Sequence, residues 1–179
     1  MRKKSPETTQ KIVQAALALM LESGFKATTM EGIAARAGIS KGTLYAYFPD
    51  KDAIFSALMA DLADRTSEAF TEAFVGDDDI AIRVGRGLAA KFGVVADLLE
   101  GSEFTQELIG EHSRFASVVK IADIAVSDII IGEMEDAGIT DARTIVPLLN
   151  AACTGIIGKY SSAKDIRAAI VLLCERVVR

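Results

Sequence analysis

The sequence predicts an all-α chain of about nine helices: an N-terminal three-helix module followed by a C-terminal helical bundle. Three observations predict it. Apolar residues recur every three or four positions along most of the 179 residues, and no stretch alternates as a strand would. Alanine is abundant, tryptophan is absent and aromatics make up 6% of the chain, which suits helices better than a β-sandwich. Only three prolines interrupt the pattern, and glycines or capping residues stand where it lapses.

Residues 1–7 read as a basic arm carrying Arg2, Lys3 and Lys4. Such an arm either enters a minor groove or stays a solvated tail. The first helix is expected over about 8–23, with Ile12, Ala15, Ala16, Leu19 and Met20 on one face and Gly24 as its stop. Thr28 then offers an N-cap, with Glu31 three residues later closing a capping box. The second helix carries Met30, Ile33, Ala34 and Ala37 inward and ends at Gly38; Gly32 inside it costs about 1 kcal/mol relative to alanine. Ser40 caps the third helix, 41–48, whose Leu44 and Phe48 face inward and leave Lys41, Thr43, Tyr45 and Tyr47 on other faces. Pro49 stops it. Asp50 caps a long fourth helix reaching about residue 74, with Ile54, Leu58, Leu62, Ala69 and Ala73 on one side.

Gly76-Asp77-Asp78-Asp79 makes a break and a new cap. Val84, Leu88, Phe92, Val95 and Leu99 mark the fifth helix, and a short sixth spans about 103–109. The seventh, about 113–137, is nearly apolar all round between 121 and 131, which predicts deep burial. After Gly138-Ile139-Thr140 an eighth helix runs to about 160, kinked or delayed by Pro147. A ninth, 163–178, ends the pattern.

The net charge of −5 is unevenly spread. Residues 1–51 hold eight Lys/Arg against four Asp/Glu, whereas residues 52–179 hold twelve against twenty-one. A basic module on an acidic body points to one anion-facing part, against a chance asymmetry of two solvated surfaces. The longest uncharged run, 144–158, is shorter than the ~18 residues of a spanning helix, and no signal-peptide core is visible, so no membrane partner and a cytoplasmic location are expected. Cys153 and Cys174 form no CxxC pair or metal spacing. They read as small hydrophobes, with an oxidant-sensing pair as the other possibility. His112, the only histidine, is either a pocket hydrogen-bonder or an exposed helix-cap residue. One histidine, no nucleophile–base spacing and no phosphate loop leave no catalytic set, and neither a cofactor nor a metal is implied.

The informative stretch is 28–51, TTMEGIAARAGISKGTLYAYFPDK. Two helices joined by a short glycine-bearing turn are a usual way to place one helix in a DNA major groove. Thr29 and Ser40 bring hydroxyls and helix N-termini to phosphates. Lys41 and Thr43 stand where side chains reach base edges, and Gly42 admits close backbone approach. Tyr45 and Tyr47 offer rings to thymine methyls and hydroxyls to phosphate, or else pack between helices. Thr28-Thr29, Ile33-Ala34, Ala37-Gly38-Ile39-Ser40, Lys41-Gly42-Thr43-Leu44-Tyr45, Tyr47-Phe48 and Lys51 together resemble the DNA-binding module of TetR-family transcriptional regulators, over about residues 8–55. The resemblance implies a helix-turn-helix at about 29–48 within a DNA-binding domain of residues 1–51, with Lys51 as a phosphate clamp. Gly32 stands where the family commonly has a polar residue, and Ala46 where it commonly has a larger side chain.

The resemblance further implies that residues 52–179 form a regulatory and dimerisation domain. Its last two helices would pair across a twofold axis through Ala151, Ala152, Gly155, Ile156, Ala169, Ile170 and Leu173. Leu62, Phe70, Phe92, Phe104, Phe115 and Ile121 are candidate linings for a small apolar or amphipathic ligand, or ordinary core. The expected partners are a palindromic double-stranded operator, a second copy of the chain and that ligand. The expected function is a homodimeric repressor released by the ligand. The alternative is a DNA-binding activator, architectural protein or adaptor of the same fold without an effector.

Overall fold

The computed structural model describes residues 4–178, which puts Arg2 and Lys3 of the basic arm outside the described residues. Nine helices and no strands are present among them: α1 Pro6–Ala27, α2 Met30–Ala37, α3 Lys41–Tyr47, α4 Lys51–Phe74, α5 Ile80–Leu99, α6 Thr105–Arg114, α7 Ala116–Asp136, α8 Ala142–Ile157 and α9 Ala163–Val177. The all-α expectation holds. The chain forms two compact units. One runs up to Asp61 and takes in Ser102–Val118; the other holds Leu62–Gly101 and the chain from Val119 onward.

The first unit is built on a closed apolar centre. Ile12, Ala16 and Met20 of α1, Ile33 of α2, Leu44 of α3 and Ile54 of α4 are all fully buried. Pro6 begins α1, where a missing N–H costs nothing. Gly24 breaks it at φ 82°, ψ 163°, a region open essentially to glycine. The bend turns Phe25 inward, edge-on to Phe55 at 5.1 Å, and Phe115 lies 4.9 Å on from Phe55. Residues 102–114 hold the end of α1. Ser102 Oγ donates to Leu21 O at 2.8 Å, and Lys26 N donates to Glu107 Oε1 at 2.8 Å.

Two sequence expectations need correction here. The cap of α2 is Thr29, whose Oγ1 accepts from Gly32 N at 3.1 Å, while Thr28 Oγ1 turns back to Gly24 O at 2.7 Å. No Thr28–Glu31 capping box forms, because the bend at Gly24 claims the Thr28 hydroxyl. The sixth helix also extends beyond the expected stop, through Gly110 to Arg114. Tight turns at Phe115, whose N–H donates to His112 O at 3.0 Å, separate it from α7. His112 thus lies in the last turn of α6. The expected cap at Asp50 is present, accepting from Ala53 N at 2.8 Å.

In the second unit α5 and α9 approach closely because α5 presents glycine. A Cβ on Gly85 would stand 3.3 Å from Cys174 Cβ and 3.4 Å from Val171 Cα. Gly87 makes room for Phe70, which stacks on Phe74 at 4.9 Å. The inward line of α4 here is Leu62, Thr66, Phe70 and Phe74, not Leu62, Ala69 and Ala73. Asp79 caps α5 as expected, accepting from Ala81 N at 2.9 Å. Pro147 lies inside α8 without ending it.

The seventh helix departs most from expectation. Among its described residues only Val119, Val126, Ile130 and Met134 are buried, a single stripe, while Ile121 is 81% exposed and Ile124 and Ile129 are also open. Apolar composition gave no facing, and the opposite face stays uncovered in the single chain. Two ion pairs tie α7 to α5: buried Lys91 to Asp123 at 2.5 Å and Arg83 to Glu133 at 3.0 Å.

Cys153 and Cys174 are both buried free thiols, and burial pushes each up to about 12. Almost no thiolate exists near neutral pH, so the thiols are poor nucleophiles. With the protein folded at pH 8, both resist alkylation by iodoacetamide over hours, and both are modified once denaturant is added. Mass spectrometry of the alkylated chain reads this directly. Rapid labelling of the native protein would show that the interior opens.

Candidate nucleic-acid interface

The α2–turn–α3 segment is locally determined from both ends. Gly38 adopts φ 63°, ψ 37°, the left-handed stop that closes a helix. Its N–H donates to Ala35 O at 3.1 Å and Ile39 N donates to Ala34 O at 3.0 Å. Ser40 then caps α3, its Oγ accepting from Thr43 N at 3.0 Å, with the Thr43 hydroxyl 2.8 Å away. Ile33 and Leu44 fix the inner faces, so the outer residues are set by helix geometry alone.

The outer residues form a polar, exposed surface. Thr29, Ser40, Lys41, Gly42 and Tyr45 are exposed, and Thr43 is half-buried. Thr29 Oγ1 accepts from Gly32 N, and as a hydroxyl it can also donate. Within the chain a Cβ on Gly42 would meet nothing nearer than 3.9 Å, so no internal packing requires the glycine there. Gly32 is different: a Cβ would stand 3.3 Å from the capping Thr29 Oγ1. Its cost in helix propensity protects that cap.

The two tyrosines take different places. The Tyr45 ring lies 5.9 Å from Lys41 Nζ and is 45% exposed. Tyr47 is half-buried, its hydroxyl accepting from Ser5 N at 2.9 Å, while its carbonyl accepts from Lys4 Nζ at 2.7 Å. Lys51 Nζ donates to Phe25 O at 2.6 Å and Thr28 O at 2.9 Å, over the Phe25 ring at 4.4 Å. It thus caps the end of α1, and as a phosphate clamp it would have to leave these carbonyls. Two acidic partners were missed in the sequence. Glu31 pairs with Lys41, and Glu22 takes both guanidinium nitrogens of Arg36 at 2.6 and 2.7 Å. Neither pair has a local spacing that reveals it.

The other candidate residues are dispersed. Leu62, Phe70, Phe92 and Ile121 belong to the second unit, Phe104 and Phe115 to the first. Leu62 and Phe70 are buried, and Ile121 is exposed in the single chain. Phe92 is half-buried with Lys91 Nζ 5.1 Å from its ring. Ala151 and Gly155 are exposed, and Ala152, Ile156, Ala169 and Leu173 are half-buried. Ile170 is fully buried in its own chain, because it falls on the inner stripe with Ile166 and Cys174. It is not available to a second subunit. Leu148, at 62% exposure, and Leu172, at 54%, take the outward positions instead.

Comparison with known proteins agrees with this geometry. The family described as bacterial regulatory proteins, tetR family, matches residues 12–58. The uncharacterized HTH-type transcriptional regulator YdeS of Bacillus subtilis is 33% identical over 115 residues, 63% of this chain and 58% of that protein. The chain therefore spans under two thirds of the length of that relative. Among solved structures, a TetR-like transcriptional regulator from Rhodococcus sp. RHA1 superposes with a TM-score of 0.73 at 22% identity, covering 98% of this chain and 97% of the other. The transcriptional regulator FadR from Bacillus subtilis, in complex with stearoyl-CoA, gives 0.71 at 17% identity, covering 95% and 99%. Both structural likenesses establish the fold.

Proposed function

We propose that this chain, which belongs to the TetR family of bacterial regulatory proteins, is a homodimeric repressor released from its operator by a small molecule. The family is non-enzymatic, and DNA binding through its helix-turn-helix is the common activity. The observation that carries the reading is the exposed set Thr29, Ser40, Lys41, Gly42 and Tyr45, with half-buried Thr43 beside them and Ile33 and Leu44 buried beneath. α3 supplies base contacts, and the starts of α2 and α3 supply phosphate contacts. Residues 1–51 serve as the DNA-binding domain and residues 52–179 as the regulatory one. Among the described residues no helix is long and apolar enough to cross a membrane, which fits a cytoplasmic location.

Dimerisation is supported by α8 and α9. The outward face of α8, with Leu148, Ala151 and Gly155, has no charged residue between 144 and 158, and Leu172 is open on α9. Burying such a face against its copy removes apolar area from water without stranding a charge. Two α3 helices then meet half-sites ~34–36 Å apart, or a multiple of it, on a palindrome. The effector is read as apolar or amphipathic, in keeping with the acyl-CoA held by the FadR relative.

Selection from a random duplex library, followed by fluorescence anisotropy, tests the proposal. A palindrome is enriched, and binding weakens steeply with salt. A ligand that dissociates the complex must itself bind more weakly when operator is present, by the same factor. Equal ligand affinity with and without operator would eliminate release as the mechanism. No enriched sequence would eliminate the operator reading.

A further inference from the structure

Glu31 is an acid among groups suited to phosphates. It lies in the first turn of α2, and its carboxylate is paired with the ammonium of Lys41, the first residue of α3. Lys41 is the single cation of α3. Both backbone positions are fixed: α2 by the Thr29 cap, α3 by the Ser40 cap and the turn between them by Gly38. The pair is therefore a built feature of the surface, although both side chains remain more than half exposed. The hydrogen bond between them holds the Glu31 carboxyl below its ordinary value and raises the Lys41 ammonium above its own. Arg36 is similarly occupied by Glu22, so the neighbouring cation on α2 does not replace Lys41.

Resting on the DNA-binding reading above, we propose that Glu31 is a specificity-determining residue: by pairing with Lys41 it withholds the cation of the recognition helix from DNA phosphates, so that unmatched sequence is bound less tightly. Binding to any duplex is driven by cations that displace counterions from phosphates, each adding ~0.9 to the slope of log affinity against log salt. A Lys41–Glu31 pair arrives at DNA as a nearly neutral unit and adds little to that slope. At a matched site a base-edge acceptor, such as guanine O6 or N7, meets the ammonium at a fixed position and replaces the carboxylate. The ordinary role of an acid in a first helical turn, favourable interaction with the helix dipole, needs no lysine. The two roles are therefore separable by removing Lys41.

The test is anisotropy of the purified protein on a random-sequence duplex and on the selected operator, at salt between about 50 and 200 mM. Wild type, Glu31→Gln, Lys41→Met and the double variant are compared, with melting curves to establish that each is folded. Glu31→Gln is expected to bind the random duplex more tightly, with a slope steeper by about 0.9, so that its advantage shrinks about threefold across that salt range. The ratio of operator to random affinity falls. In the Lys41→Met background, Glu31→Gln changes neither quantity. An unchanged slope for Glu31→Gln overturns the proposal. So does the same gain in the Lys41→Met background, which would mean that the carboxylate repels phosphate by itself. Wild-type protein that binds no duplex at all would remove the DNA reading, and this proposal with it.

Discussion

Replacing Gly24 with alanine is expected to lower the melting temperature by about 6–12 °C. Gly24 sits at φ 82°, ψ 163°, where a Cβ is strained whatever its surroundings, at about 1–3 kcal/mol. The surroundings are also closed. The added Cβ would stand 2.6 Å from Glu107 Oε2 and 2.8 Å from Phe104 Cδ1. Relieving that overlap swings the Glu107 carboxylate aside and turns the Phe104 ring, at a cost of about 1–3 kcal/mol for a packed site. It also threatens the Glu107 hydrogen bond to Lys26 N. Against these stands the entropy gained in the unfolded chain, about 0.4–1 kcal/mol. The balance is a loss of about 3 kcal/mol, which converts at about 2–4 °C per kcal/mol for a chain of this size. Circular dichroism melts read it. A shift under 2 °C would show that these side chains yield without resistance and that the bend at Gly24 is not held by its neighbours.

Replacing Tyr45 with alanine is expected to weaken operator binding by about ten- to a hundredfold while leaving the melt within 1–2 °C of wild type. The ring is 45% exposed, outside the closed centre formed by Leu44 and Ile33, so truncation opens no cavity. Its loss is felt only when DNA is present, as a missing apolar contact to a base and a missing hydroxyl to a phosphate. Each such contact is worth about 1–3 kcal/mol of binding. Tyr45→Phe divides the two: it keeps the ring and loses the hydroxyl, so its affinity falls alike on all sequences while base preference and the salt slope are kept. Anisotropy on the selected operator measures both variants. Equal affinity for wild type and Tyr45→Ala would take Tyr45 out of the interface. Tyr47 lacks this separation, since its hydroxyl already accepts from Ser5 N and its ring is half-buried.

What was legible in the sequence follows from how local each signal is. Ser40, Asp50 and Asp79 act within three residues, and their caps appear where the sequence puts them. Leu44 and Ile33 follow from helical period. Thr28 and Thr29 are both adequate caps as residues, and only the Gly24 bend decides which hydroxyl is left for α2. The facing of α7 was illegible for another reason: when isoleucine and valine occur on every side, period carries no phase, and partners distant in sequence choose the buried stripe. Ile121 falls under that ambiguity, and lies on the open side of α7. Ile170 does not: it sits on the inner stripe of α9, and only the resemblance points it toward a second subunit. The pairs Glu31–Lys41 and Glu22–Arg36 are illegible because the partners stand ten and fourteen residues apart across a turn, beyond any within-helix spacing; Glu31 reads instead as half of a capping box.

The seam between α5 and α9 has a consequence for how the chain can change over generations. At Gly85 the helices meet through backbone, with Val171 Cα 3.4 Å and Cys174 Cβ 3.3 Å from where a Cβ would be. Elsewhere in a core a larger residue can be absorbed by a neighbour turning to another rotamer. Main-chain atoms have no rotamers to turn to. Drift at this position is therefore coupled to its partner: a Cβ at Gly85 needs α9 to give by a few tenths of an ångström at Val171 and Cys174, so the seam is expected to vary together on its two sides.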